Sequence, residues 1–74
     1  MSYYLDAEQM GQRLKELRGD RPRKEVAKAV GISESALAWY EAGKRIPRDK
    51  VKMRLANYYG KSLLTIFFSN KPTL

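Results

Sequence analysis

The chain contains no histidine and no cysteine. That removes the commonest general base, the usual zinc ligands, thiolate nucleophiles, Fe–S clusters and disulfides. A chain of this size without either residue is a poor candidate for an enzyme, and no metal, cofactor or small-molecule site is expected. The chemistry on offer is cationic. Fifteen lysines and arginines stand against 8 acidic residues, a formal charge of +7. An excess of that kind suits a polyanionic partner, either nucleic acid or an anionic membrane surface. It is also localised: residues 1–20 carry net −1, residues 21–54 carry net +6, and residues 55–74 add two lysines. Two clusters account for it, Arg21, Arg23, Lys24 and Lys28, then Lys44, Arg45, Arg48, Lys50, Lys52 and Arg54. The plain alternative, solvated charges on helix faces, must hold for several of them.

Something must position these cations, and 74 residues allow one small domain spanning 1–74. At 43% hydrophobic and 31% charged, the composition is that of a soluble globular protein and too apolar for disorder. The N-terminus, MSYYLDAEQ, lacks the basic and apolar regions of a signal peptide. No apolar stretch approaches the ~20 residues that a bilayer span needs. A cytoplasmic protein is expected.

Hydrophobic periodicity predicts five short helices and no strand, an all-α domain. Met10, Leu14 and Leu17 form one stripe from Ala7 to Arg18, with Asp6 as N-cap and Gly19–Asp20 as the stop. Pro22 suits the first position of a second helix, which turns Val26, Ala27 and Val30 inward and stops at Gly31. Ser33 caps a third, with Ala36, Leu37 and Tyr40 inside and its end before Gly43. After Ile46–Pro47, a fourth opens at Arg48 or Asp49, buries Val51, Leu55, Tyr58 and Tyr59, and closes at Gly60. Ser62 caps a fifth from Leu63 to Phe68, and the tail SNKPTL (69–74) is expected to fray.

The segment from Arg23 to Ala42, RKEVAKAVGISESALAWYEA, reads as helix, tight turn, helix. Ala27 is small where the two helices meet, and Gly31 can take the positive φ of the reversal. Val26, Val30, Ile32, Leu37 and Tyr40 face the domain, whereas Ser33, Glu34, Ser35, Ala38 and Trp39 point away from it. That pattern lets the second helix of the pair enter a major groove by its N-terminal end.

Through GQRLKELR, EVAKAVGISESALAWYEAGKRIPR and LANYYGKSLLTIFF, the sequence resembles the Cro/CI-type, XRE-like helix-turn-helix regulators of phages and bacteria. The likeness spans about Met10 to Phe68. It implies a five-helix, lambda-repressor-like domain that binds double-stranded operator DNA, usually as a two-fold homodimer on a palindrome. Carried over by position, Ser33, Glu34, Ser35, Ala38 and Trp39 become base-reading positions. Glu34 can accept from a cytosine amino group, Ser35 can reach several base edges, and Ala38 can touch a thymine methyl. Glu34 has a plainer role as first-turn support of the helix dipole. Trp39 stands where the family often has a polar side chain; it can cover a thymine methyl or sugar, or fold back near Ile46. Arg23, Lys44, Arg45 and Arg48 match phosphate-contacting positions. Arg18 and Glu41 match a structural ion pair that holds the recognition helix.

Leu63, Leu64, Ile66, Phe67 and Phe68 put five apolar residues in six positions, more than one helix face can hide. Part of the set should close the core and part should form a patch. The resemblance implies a dimer contact there, assigned to Leu64, Phe67 and Phe68; pure core and membrane contact are the alternatives, and the latter is disfavoured because the cations lie elsewhere. A regulator, most simply a phage-type or mobile-element repressor without catalytic activity, is the expected function. An antitoxin-like or antirepressor-like interaction module and a nonspecific DNA-binding protein remain alternatives.

Overall fold

The structure, a computed structural model, describes residues 6–68 in full and residues 3–4 and 69–70 through their backbone. Five helices follow one another: α1 (Ala7–Arg18), α2 (Arg23–Val30), α3 (Glu34–Glu41), α4 (Asp49–Tyr59) and α5 (Leu63–Phe67). Side-chain caps fix three of the starts. The Asp6 carboxylate accepts from the Gln9 N–H at 3.1 Å, the Ser33 hydroxyl from Ala36 at 3.0 Å, and the Ser62 hydroxyl from Thr65 at 3.1 Å. Pro22, expected as the first helical residue, sits one step earlier: its ψ of 143° is extended, so it is the N-cap.

The core takes one face from every helix. Met10 and Leu14 come from α1, Val26, Ala27 and Val30 from α2, Leu37 from α3, Leu55 and Ala56 from α4, and Ile66 and Phe67 from α5. Helix α3 packs between α1 and α2, α4 lies against α2 and α5, and α5 closes onto α1. Arg13 reinforces that closure by donating from Nη1 to the Ile66 carbonyl at 3.3 Å. The approach of α1 to α3 is closest at Gly11, where a Cβ would be driven onto the Glu41 carbonyl. Only a hydrogen fits there, which explains a glycine in mid-helix despite its cost of about 1 kcal/mol relative to alanine.

Two expectations change at the C-terminal end. Phe67, assigned above to a dimer contact, is fully buried, because α5 is so short that its inner face must supply both Ile66 and Phe67 to roof the core. The tail is not wholly frayed either. Ser69 and Asn70 (β2) pair antiparallel with Tyr3 and Tyr4 (β1), in the register Tyr3↔Asn70 and Tyr4↔Ser69. Residues 71–74 lie outside the described residues. The ribbon is an addition to an all-α domain.

Candidate nucleic-acid interface

The two helices α2 and α3 are joined by three residues, and the reversal depends on Gly31. Its φ of 81° and ψ of 36° are left-handed, a region that side chains with a Cβ rarely adopt. The Gly31 and Ile32 N–H groups both donate to the Ala27 carbonyl, at 2.8 and 2.9 Å, which closes the turn before Ser33 starts α3. The guanidinium of Arg54, reaching over from α4, lies alongside this turn.

Helix α3 is two-sided. Leu37 and Glu41 are buried, Ala36 and Tyr40 are partly buried, and Glu34, Ser35 and Trp39 are exposed, with Ala38 intermediate between them. Eight residues give about 12 Å of helix, a length a major groove accommodates. Ser33 is exposed as well, but its oxygen already caps the helix, leaving its hydroxyl proton as the group free to reach a partner. Trp39 is 41% exposed. Its ring carries the Arg45 guanidinium, with Cζ 4.4 Å from the ring centroid.

What aims this face is a buried carboxylate on the opposite side. Glu41 accepts from Arg18 twice, Nε to Oε2 at 2.7 Å and Nη2 to Oε1 at 3.1 Å. Such a two-point pair fixes orientation as well as distance. The Arg18 pKa is raised, chiefly by the hydrogen bond to Glu41, against the opposing effect of burial. Arg18 also donates from Nη1 to the Arg21 carbonyl at 2.8 Å, which pins the short link between α1 and α2.

Arg23 belongs to this anchor too. Its Nε donates to Glu41 Oε1 at 2.8 Å, while 40% of its side chain stays exposed. The sequence placed Arg23 on a phosphate; the structure places it at the domain's ion cluster with one side still open to solvent. No local spacing signals that contact, because Arg23 and Glu41 are brought together only by the turn between α2 and α3.

The remaining cations divide. Lys44, Arg45 and Arg48 are exposed between α3 and α4, and Lys24, Lys28, Lys50 and Arg54 are exposed on the helices. Arg21 instead lies over the Tyr58 and Tyr59 rings, 5.4 and 5.8 Å from their centroids. Lys52 is turned toward Asp49 at 3.6 Å and toward the Phe68 ring at 5.4 Å. The Tyr59 hydroxyl beneath Arg21 is buried without a hydrogen-bond partner among the described residues, and burial, with Glu41 nearby, pushes its pKa up to about 12.

Met53 (55% exposed) and Leu63 (38%) line one hollow with the partly buried Phe68, and Leu64 beside Leu63 in the chain is 52% exposed. Of the three residues expected at a dimer contact, Leu64 is thus at the surface, Phe68 half-buried and Phe67 in the core. Met53 was not singled out for that face, although it interrupts a run of charged residues, and Leu63 was counted in the apolar cluster without being assigned to the contact. No helix among the described residues is long and apolar enough to cross a membrane.

Comparison with known proteins agrees with this architecture. A family model described as a helix-turn-helix domain matches residues 9–63. No curated protein sequence matches the chain. Among solved structures, the chain is similar to the SOS-response transcriptional repressor LexA from Eubacterium rectale, with a TM-score of 0.80 and 20% identity over 93% of this chain and 76% of that one. It is similar also to the restriction-modification controller protein C.AhdI from Aeromonas hydrophila, with a TM-score of 0.75 and 27% identity over 86% of this chain and 100% of that one. The first likeness is one of fold; the second shares sequence as well. With α2, the Gly31 turn and an outward α3 all inside the matched segment, the chain belongs to the helix-turn-helix domain family and is an XRE-like DNA-binding transcriptional regulator.

Proposed function

We propose that the protein is a cytoplasmic homodimeric repressor that occupies a palindromic operator, acting by binding alone and without a cofactor. The observation that carries this reading is the two-sided α3, whose outer face is open while Glu41 and Leu37 hold its inner face. Glu34, Ser35, Ala38 and Trp39 read base edges, with the Ser33 hydroxyl at the helix start. Arg23 and the loop residues Lys44 and Arg48 grip phosphates, and Arg45 adds its charge beside Trp39. Each phosphate so neutralised contributes about −0.9 to the slope of log K against log salt. The base-reading positions carry no positive charge, so cations supply affinity and the α3 face supplies selectivity.

The dimer contact is assigned to Leu64 with Met53, Leu63 and the exposed part of Phe68. A second reading, control of restriction-modification genes, is favoured by the match to the whole length of the controller protein C.AhdI. Selection of bound sequences from a random DNA pool tests both. A palindrome with half-sites about one helical turn apart supports the repressor, and its occurrence beside restriction-modification genes favours the second reading. A pool that shows no enrichment sinks both. Leu64→Glu should convert the dimer to monomer in sedimentation and weaken operator binding; a dimer that survives the change rejects the patch.

A further inference from the structure

The backbone that ends α3 determines where Arg45 goes. Gly43, at φ +74°, lets its own N–H reach the Tyr40 carbonyl at 3.1 Å and the Lys44 N–H reach the Trp39 carbonyl at 2.9 Å. These paired bonds are the usual double closure of a helix C-terminus. They turn the chain back so that residue 45 arrives beside residue 39. The guanidinium lies over the indole, 4.4 Å from Cζ to ring centroid, on a tryptophan that is itself 41% exposed. Arg45 therefore stands on the outer face of α3 although it is numbered in the loop.

A guanidinium resting on a ring spends its flat face on that contact and keeps its in-plane N–H donors at its edge. No hydrogen-bond or ion-pair partner holds Arg45 among the described residues. Its donors are free of protein partners among these residues, and the ring keeps the guanidinium beside the outer face of α3. A partner that the guanidinium fork fits is guanine, whose O6 and N7 accept two parallel bonds in the major groove. A phosphate can take two parallel bonds from the same fork, but Arg45 sits beside Trp39, on the face of α3 read here as entering the groove, where base edges are its neighbours.

We infer that Arg45 is a base-reading residue, forking onto a guanine next to the base pair covered by the indole, with Trp39 as its platform. The inference rests on the reading of α3 as the groove-facing helix. It adds a cation to a set of reading positions that otherwise has none.

The test is the pool selection repeated with Arg45→Lys, Arg45→Ala, Trp39→Ala and Trp39→Phe, each checked for native helix content by circular dichroism. The wild type should select a guanine at one fixed position in each half-site. Arg45→Lys keeps the charge, so it should keep the salt slope yet lose discrimination at that guanine by about tenfold to a hundredfold. Trp39→Ala should lose the same guanine with Arg45 still present, and Trp39→Phe should recover part of it. In the free protein, Arg45→Ala should also change the Trp39 emission, which reports the stack without DNA. If Arg45→Lys preserves every base preference and Arg45→Ala weakens all sequences equally, Arg45 is a phosphate contact and the inference is overturned. A wild type that selects nothing overturns the regulator reading and this one together, whereas a wild type that selects a palindrome indifferent to Arg45→Lys overturns this one alone.

Discussion

Replacing Glu41 by glutamine keeps the shape of the anchor and removes its charge, so the cost is set by what Arg18 loses. The Glu41 side chain is fully buried and that of Arg18 only 16% exposed. Removing one partner of a buried pair costs about 3–5 kcal/mol, because the other charge is left uncompensated. Arg18 retains its bond to the Arg21 carbonyl at 2.8 Å and some access to water, so about 2–4 kcal/mol is expected here. For a chain of this length that is a large part of a total of roughly 4–11 kcal/mol. It corresponds to a fall in Tm of about 10–30 °C. Arg23, at 40% exposure, should contribute no more than about 1 kcal/mol to the same carboxylate. Urea unfolding followed by circular dichroism measures all of this, with Arg18→Met, Arg23→Ala and the Arg18→Met/Glu41→Gln double variant completing a cycle. The double variant should be less destabilised than the sum of its singles by about 1 kcal/mol or more. A Glu41→Gln protein within about 0.5 kcal/mol of wild type, or an Arg23→Ala protein as damaged as Arg18→Met, would refute the reasoning.

Three further outcomes follow from other contacts. Gly11→Ala gains about 1 kcal/mol of helix propensity, but its Cβ meets backbone and not a side chain that can move aside. Net destabilisation of about 1–2 kcal/mol is expected in the same unfolding assay, and a stabilised protein would contradict the close approach of α1 and α3. The Tyr59 hydroxyl holds its proton more tightly folded than unfolded, so its contribution is complete below its ordinary pKa of 10.0 and is lost as pH rises toward about 12. Tyr59→Phe should match or exceed wild type at neutral pH and lack that part of the alkaline loss in melts from pH 9 to 12. Lys44→Ala should weaken operator and random DNA by the same factor and make the salt slope shallower by about 0.9, read by titration at several salt concentrations.

The helices were legible because each carries its own punctuation. Asp6, Ser33 and Ser62 announce starts, and Gly31 and Gly60 mark ends, all through bonds within a few residues of chain. The exposure of Glu34, Ser35 and Trp39 was legible for a similar reason, since the positions of Leu37 and Tyr40 leave the helix no other side to show. What escaped depends on neighbours distant in sequence. Gly11 is an isolated glycine in a helical pattern, a signal of close packing, but nothing local says that its neighbour is the Glu41 backbone. Phe67 and Phe68 look alike in sequence, and only the direction of a one-turn helix decides that the first is sealed and the second left half open. The ribbon between Tyr3–Tyr4 and Ser69–Asn70 is two residues long on each side, too short for alternation to register. Arg21, Arg23, Arg45 and Lys52 all read as members of the basic clusters, Arg23 and Arg45 being set apart only by resemblance as phosphate contacts. They part company only when tertiary packing puts rings or carboxylates beside them.

The division of α3 into a held side and an open side has a consequence for how such a regulator changes over time. Glu34, Ser35 and Ala38 have no side-chain hydrogen bond or ion pair among the described residues, so altering them disturbs little that keeps the domain folded. Surface changes of that kind usually lie within about 0.5 kcal/mol in stability. Leu37, Glu41 and the Gly11 contact, by contrast, tolerate almost nothing. On the function proposed above, folding and target choice are therefore written in different residues of one eight-residue helix. A lineage can exchange its operator by a few substitutions, one at a time, without passing through an unfolded intermediate.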